Sequence, residues 1–216
     1  MIIDLHTHTR PASDDSFIDL PDLVTRARKS GLDAVCLTDH EWFWERDAVR
    51  KLSEEHDFLL LPGVEMNTDE GHLLVFGLEK YVFGMHRTSF LKKALDDAGG
   101  VMVLAHPYRR NMYYGETVEA SVERYCHNAV FQYVDIIETH NGRGTERQNR
   151  FSRELCRRIG LKATGGSDAH QVSDIPSGAT WFERDITSLE ELITELKTGR
   201  FHPVDLRHGP VTPEGC

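Results

Sequence analysis

The chain has 216 residues, of which 39% are hydrophobic and 28% are charged, and its formal net charge is −10. That composition is typical of a folded globular protein rather than a disordered one, and no apolar run reaches the roughly 18 residues of a membrane span. The negative charge argues against broad nucleic-acid binding, which requires a basic surface. Residues 1–4 lack the basic region of a signal peptide, so we expect a cytoplasmic protein that makes no contact with membranes.

Segments of strand character alternate with helical segments along the chain. Continuous apolar strands that alternate with helices are typical of a parallel sheet covered by helices. About seven such units favour a closed barrel over an open sheet, because every strand contributes polar residues at its end. We predict a single α/β domain over residues 1–202, folded as a (β/α)7 TIM-like barrel, and an irregular tail over 203–216. The predicted strands are 2–5, 33–37, 58–61, 72–77, 101–105, 134–138 and 162–165, and the predicted helices are 21–30, 44–56, 88–98, 117–128, 145–158 and 188–198.

Histidines and carboxylates stand at seven junctions between an apolar segment and a loop. In a barrel the carboxyl ends of the strands meet at one pole, so these side chains should converge there. Imidazole and carboxylate groups are ligands of divalent transition metals. The pattern therefore predicts a metal centre with several ions. The residues at these junctions are His6, His8, His40, Glu65, His72, His106, His140, Asp168 and His170.

Spacing divides these candidates into groups. His6 and His8 are two residues apart on a strand, so both point to the same face and can bind one ion. Asp168 and His170 repeat this spacing. Glu65 has two carboxylate oxygens and can bridge two ions, and a buried glutamate without a metal or an ion pair would be costly.

Other candidate ligands are ambiguous in the sequence. Asp14 and Asp15 lie in a polar loop after the first strand, where either could turn back to a metal, with Asp15 favoured, or both could be solvated. His72 begins its apolar run instead of ending it. Either that strand runs opposite to the others or His72 lies outside the centre. His140 ends a strand and could contact a metal or belong to the fold alone.

Several residues near the same pole suit roles other than metal binding. Asp39 could orient the His40 ring, cap the following helix or transfer a proton. Asn141 ends a strand and is a candidate substrate contact. Arg109 and Arg143 lie in loops at this pole, and guanidinium groups suit phosphate oxygens, although both could be ordinary surface arginines.

Four sequence blocks together resemble the PHP family, named for polymerase and histidinol phosphatase. They are His6-Thr7-His8, Thr38-Asp39-His40, Ala105-His106-Pro107 and Ser167-Asp168-Ala169-His170, with Gly63-Val64-Glu65 as a fifth match. The resemblance implies a distorted (β/α)7 barrel with a trinuclear metal site, usually of manganese, zinc or iron, and we expect two to three divalent ions. Carried onto this chain, it implies one ion on His6, His8, Glu65 and Asp168, a second on Glu65, His72 and His106, and a third on Asp15 or Asp14, His40 and His170.

The residues and the resemblance together predict a metal-dependent hydrolase of phosphate esters. The substrate would be a small phosphomonoester, a nucleotide or a short oligonucleotide, attacked by a metal-activated hydroxide. Asp39, Asp168 or His170 would pass a proton to the leaving group. An amidohydrolase-like C–N hydrolase is one alternative, disfavoured because no lysine stands at a strand end between Glu65 and Asp168, and a non-catalytic metal-binding module is another. Specificity should lie in loops 41–47, 78–87 and 107–118, the last of which could stack on a base or form a surface aromatic patch.

Overall fold

The structure is a computed structural model that describes residues 1–207, so residues 208–216 of the predicted tail lie outside the described part. Strands and helices alternate over most of it, as the sequence predicts. The strands are β1 (Ile2–Thr7), β2 (Ala34–Leu37), β3 (Leu59–Pro62), β4 (Val64–Thr68), β5 (Gly71–Phe76), β6 (Val101–Leu104), β7 (Ile136–Asn141), β8 (Lys162–Gly166), β9 (Gly178–Phe182) and β10 (Phe201–Asp205). The helices are α1 (Leu20–Lys29), α2 (Arg46–His56), α3 (Thr88–Asp97), α4 (Tyr108–Asn111), α5 (Val118–Tyr125), α6 (Glu146–Ile159) and α7 (Leu189–Thr198).

The strands form two five-stranded sheets, in the orders β10-β9-β1-β2-β3 and β4-β5-β6-β7-β8. Strands β1, β2 and β3 are parallel to one another, as are β6, β7 and β8. Two isolated parallel bridges, Thr7 with Ala169 and His40 with Glu65, connect one sheet to the other. The predicted single α/β domain is confirmed. The two sheets are not joined into one continuous sheet, so the predicted closed barrel is not confirmed.

A hairpin between β4 and β5 explains the position of His72. Strand β5 runs antiparallel to both β4 and β6, and Thr68 donates its hydroxyl to the Gly71 carbonyl (2.7 Å) across the turn. Gly71 has φ of +138°, a conformation that favours glycine. Because β5 is reversed, its first residues lie at the pole where the parallel strands end. Of the two explanations that the sequence left open, the reversed strand is correct.

The predicted irregular tail, residues 203–216, starts inside a strand of the structure. Residues 203–205 belong to β10, which pairs antiparallel to β9 with Pro203 opposite Thr180. A proline cannot donate to a ladder, which is why the sequence suggested an irregular segment. Strand β10 is at the edge of its sheet, where proline is tolerated because one side of the strand makes no ladder bonds.

The strands are buried on both faces because helices cover the sheets. All four residues of β2 are fully buried, as expected of a parallel strand covered on both faces. Helix α6 begins with a capping box in which Thr145 and Gln148 bond each other's backbone, and it ends at Gly160 in the left-handed conformation. In residues 1–207, no helix is both long and apolar enough to cross a membrane.

Candidate metal centre

Four buried ligand atoms converge at the pole of the fold. Each belongs to a side chain at most 1% exposed, and none makes a hydrogen bond within the described residues. Such buried polar atoms need an explanation, and a bound ion is one. The atoms are Nε2 of His6, Nε2 of His8, Oε2 of Glu65 and Oδ1 of Asp168.

The spacing of these four atoms, which we call the central group, fits a metal ion. Nitrogen-to-oxygen distances are 3.4 and 3.5 Å from His6, and 3.3 and 3.4 Å from His8, to Glu65 and Asp168 respectively. These are four of the six edges of a tetrahedron, and a regular tetrahedron with edges of this length has its centre about 2.1 Å from every corner, which is the usual distance from zinc to histidine nitrogen or carboxylate oxygen. The residues present therefore fit a divalent ion.

Backbone pairing between β1 and the loop after β8 brings the central group together. Asp168 donates its amide to the His6 carbonyl (2.8 Å), and His8 donates to the Ala169 carbonyl (3.1 Å). Asp168 has φ of +55° and His106 has φ of +25°, which are unusual for residues other than glycine. Strained conformations of this kind concentrate at functional sites.

Glu65 faces a second group of histidines through its other oxygen. Its Oε1 lies 2.8 Å from Nδ1 of His72 and 2.9 Å from Nε2 of His106. Its Oε2 belongs to the central group and also lies 3.0 Å from Nδ1 of His40, out of line for a hydrogen bond. One carboxylate thus connects two sets of imidazoles, which is the arrangement of a bridging ligand.

A third group lies on the more exposed side of the centre. Oδ2 of Asp15 is 3.1 Å from Nε2 of His170 and 3.4 Å from Nε2 of His40. Burial would raise the pKa of Asp15, but the charges of His170 and His40 lower it. Asp14 is exposed and makes none of these contacts within the described residues. The geometry therefore favours Asp15 over Asp14 as the loop ligand.

Glu138 on β7 supports the centre and was not among the predicted site residues. Its Oε1 lies 3.0 Å from Nδ1 of His6, and its Oε2 accepts from the His106 amide (2.9 Å) and the Asn141 side chain (3.0 Å). An Nδ1–H bond to Glu138 leaves Nε2 of His6 unprotonated, which is the form that binds metal. The only signal in the sequence was a carboxylate at the end of an apolar strand.

Asp39 supports the centre through Ser13. Ser13 Oγ lies 3.2 Å from Nδ1 of His8 and donates to Oδ1 of Asp39 (2.8 Å). Oδ1 also accepts from the Thr9 amide, and Oδ2 accepts from the Trp44 indole (2.9 Å). Asp39 therefore orients His8 rather than the His40 ring. The helix-cap interpretation is wrong, because α2 begins only at Arg46 with Glu45 as its N-cap.

Asn141 and Arg109 both contact the second oxygen of Asp168. The Asn141 amide donates to Oδ2 (3.2 Å), and the Arg109 guanidinium also donates to it. Asn141 is fully buried and its Oδ1 accepts from the Tyr108 hydroxyl (3.0 Å). It positions Asp168 and has no surface to offer a substrate, so the prediction of a substrate contact is not supported. Arg109 is one-third exposed and can reach further.

His170 lies between Asp168 and an exposed arginine. Its Nδ1 is 2.8 Å from the Asp168 carbonyl and 2.9 Å from Nη1 of Arg143. A protonated Nδ1 can donate to the carbonyl but cannot also accept from Arg143. The tautomer that donates to the carbonyl leaves Nε2 unprotonated and facing Asp15, which suits metal binding.

His140 does not join the centre. Its Nε2 lies 3.1 Å from the Ser177 carbonyl and 3.6 Å from Oδ1 of Asp205, and burial lowers its pKa. The register of β7 against β8 shifts between Glu138 and His140. Alternation would place these two side chains on one face, but an irregularity of this kind re-aims the residues after it. Glu138 therefore faces the ligands where the sequence suggested His140.

The charges of the centre hold its carboxylates ionised. Burial would raise the pKa of Asp168, but His6, His8 and Arg109 lower it far below its usual range. Burial would lower the pKa of His6, yet Asp168, Glu138 and Glu65 raise it well above its ordinary value. Protons therefore compete with metal ions for these imidazoles, and ion binding should release protons.

Comparison with known proteins now identifies the family. The family model for the PHP domain matches residues 4–159, and the model for the PHP-associated region matches residues 146–201. The chain belongs to the PHP family. The resemblance of its sequence blocks to that family is thus confirmed.

Solved structures share the fold at low sequence identity. PsfC from Pseudomonas syringae has a TM-score of 0.67 and 20% identity, covering 96% of this chain and 92% of its own. A candidate metal-dependent phosphoesterase from Bifidobacterium adolescentis has a TM-score of 0.56 and 21% identity, with coverage of 94% and 97%. An amidohydrolase from Chromobacterium violaceum has a TM-score of 0.57 and 18% identity, with coverage of 78% and 87%. At these identities the likeness extends to the fold alone.

Proposed function

We propose that this PHP-family protein is a metal-dependent hydrolase of phosphate esters. The observation that carries the proposal is the central group, whose four buried atoms make no hydrogen bond to any of residues 1–207 and whose nitrogens and oxygens lie 3.3–3.5 Å from one another. Glu65 connects this group to His72 and His106, which is how a carboxylate bridges two ions. Asp15, His40 and His170 form the candidate third set. Manganese, zinc and iron all suit such mixed ligands.

The proposed centre would sit at the pole of a distorted barrel. The bridges from Thr7 to Ala169 and from His40 to Glu65 support that proposal, because they join the two sheets at their ends. Both bridges lie beside the ligands. A small phosphorylated molecule can reach this pole from the side of Asp15, which is 57% exposed.

The ions and two nearby arginines would have separate roles in hydrolysis. Divalent ions in such a centre supply a hydroxide at neutral pH and stabilise the charge that develops on the phosphoryl oxygens. Arg109 fixes Asp168 with one nitrogen and keeps further donors for a phosphate oxygen. Arg143, which is exposed beside His170, would contact a second oxygen. Guanidinium groups hold phosphate oxygens with directed, charge-assisted hydrogen bonds.

Three residues, Asp39, Asp168 and His170, are candidates for proton transfer to the leaving oxygen. Asp168 stays ionised and therefore has no proton to give, and both oxygens of Asp39 already accept hydrogen bonds from neighbouring side chains. Only His170 contacts an exposed carboxylate, that of Asp15. If two ions bind, the His170–Asp15 pair is free to pass the proton. If three bind, both residues are ligands.

Metal analysis and activity in a Glu65→Gln variant test the proposal. The wild-type protein should contain two or three ions per chain and hydrolyse p-nitrophenyl phosphate when manganese is supplied. Glu65→Gln should lose ions and activity together, because an amide cannot bridge. Glu195→Gln removes a carboxylate of similar burial on α7 and should keep both. A fully metallated, active Glu65→Gln protein would refute the bridging role, and a metallated wild type without turnover would favour a C–N hydrolase.

A further inference from the structure

A cavity of about 400 Å³ borders the exposed side of the metal centre. Cavities of roughly 300–1,000 Å³ hold small-molecule ligands. We call it the rim cavity. Two of its lining residues, Asp15 and His40, belong to the third group, so an ester whose phosphate lies at the centre can extend its organic part into the cavity. It is lined by Pro11, Ala12, Asp14, Asp15, His40 and Trp42.

Trp42 is an exposed aromatic residue held in a defined position. Half of its surface is exposed. Its ring meets that of Trp44 edge to face, with centroids 6.3 Å apart, and the Trp44 indole is tied to Asp39 by a hydrogen bond of 2.9 Å. The residue that supports His8 through Ser13 therefore also supports the aromatic wall of the cavity. A pre-positioned indole loses little entropy on stacking against a ligand.

Asp14 supplies a second specific feature. It is exposed, lines the same cavity and forms no ion pair within residues 1–207. A carboxylate only accepts hydrogen bonds, so it favours a ligand that presents an N–H group and disfavours one that presents a carbonyl oxygen. A neutral aliphatic group would leave both Trp42 and Asp14 without a favourable partner, and a trimethylammonium group would contact Trp42 but has no N–H to donate to Asp14.

We propose that the rim cavity binds a planar heteroaromatic ring bearing an amino group, stacked on Trp42 with its amino group towards Asp14. This inference rests on the proposed phosphoesterase function and specifies its substrate as a phosphate ester of a nucleoside whose base bears an amino group. The 107–118 loop is less suited to this task. Tyr108 is buried, and the Tyr113 ring is covered by the Arg124 guanidinium 4.0 Å away.

Relative kcat/KM values for four esters test the inference in the manganese-loaded protein. Adenosine 5′-monophosphate should be preferred to inosine 5′-monophosphate, and both to ribose 5-phosphate and phosphocholine. Trp42→Leu should lower the ratio of adenosine monophosphate to ribose 5-phosphate by roughly ten- to a hundredfold, the range for loss of one stacking contact. Asp14→Asn should lower the ratio of adenosine to inosine monophosphate about three- to tenfold. Tyr114→Leu removes a fully exposed aromatic residue outside the cavity and should change neither ratio.

A binding measurement separates failure of this inference from failure of the phosphoesterase proposal. Adenosine has no phosphate, so its calorimetric titration tests the cavity without any turnover. Wild-type protein should bind adenosine more tightly than inosine or ribose, and Trp42→Leu should lose that preference. Equal kcat/KM for adenosine monophosphate and ribose 5-phosphate, or a preference for phosphocholine, would overturn the inference alone. Binding of adenosine without hydrolysis of any ester would support the cavity and contradict the proposed reaction.

Discussion

The central group and the third group differ in how they are built. His6, His8, Glu65 and Asp168 are at most 1% exposed, whereas the His40 side chain is 31% exposed and that of Asp15 is 57% exposed. Behind the central group stand Glu138, Asn141 and the Ser13–Asp39 pair. Asp15 comes from a loop. Hydrogen-bonded supports fix the orientation of ligands and raise metal affinity, so the central ion should bind more tightly than the third.

Among substitutions of the supporting residues, Glu138→Gln should lower the metal affinity of the central group most. The amide of a glutamine would meet the N–H donors of His106 or Asn141, and the charge that favours the Nδ1–H form of His6 would be lost. We expect metal affinity to fall about 10- to 100-fold, measured by competition with a chelator of known affinity. Glu195→Gln serves again as the control for a buried carboxylate. Unchanged affinity in Glu138→Gln would show that His6 needs no such support.

Ser13→Ala should have a smaller effect on the same ions. It removes the acceptor for Nδ1 of His8 and one of the donors to Asp39, but leaves Glu138 in place. Loss of one hydrogen bond of this kind costs about 0.5–1.5 kcal/mol, and the upper end of that range applies at a buried site. The chelator assay should therefore show a loss near tenfold. Ser121→Ala, another fully buried serine on α5 that bonds Glu116, should bind metal like the wild type.

Asp15→Asn should leave the central ion almost untouched. If three ions bind, elemental analysis should show the loss of one ion per chain, while the tightest site keeps its affinity within about threefold. Asp14→Asn is the matched control and should keep the full metal content. Loss of all ions in Asp15→Asn would mean that the exposed and buried groups form one cooperative unit rather than a strong and a weak site.

The candidate metal ligands were easier to predict from the sequence than the residues that support them. His6 and His8 could be predicted because alternation along a strand fixes their common face. Asp168 and His170 lie in a loop after β8 in which Asp168 has a left-handed φ, so alternation alone could not fix where their side chains point. Glu138 and His140 show the limit, because the shift of register in β7 that exchanges their roles has no signature in the residues themselves. The prediction of an irregular segment at Pro203 was wrong for a related reason. Proline is tolerated in an edge strand, and the position of a strand in its sheet depends on the topology of the whole fold. The supporting role of Ser13 arises from contacts between distant segments, which no local pattern encodes.

Anomalous diffraction from crystals grown with manganese would show whether the central group holds an ion. We expect an anomalous peak within coordination distance of Nε2 of His6, Nε2 of His8, Oε2 of Glu65 and Oδ1 of Asp168, with a second peak on the His72 and His106 side of Glu65. Peaks only at the protein surface, with these four atoms hydrogen-bonded to water or to one another, would contradict it.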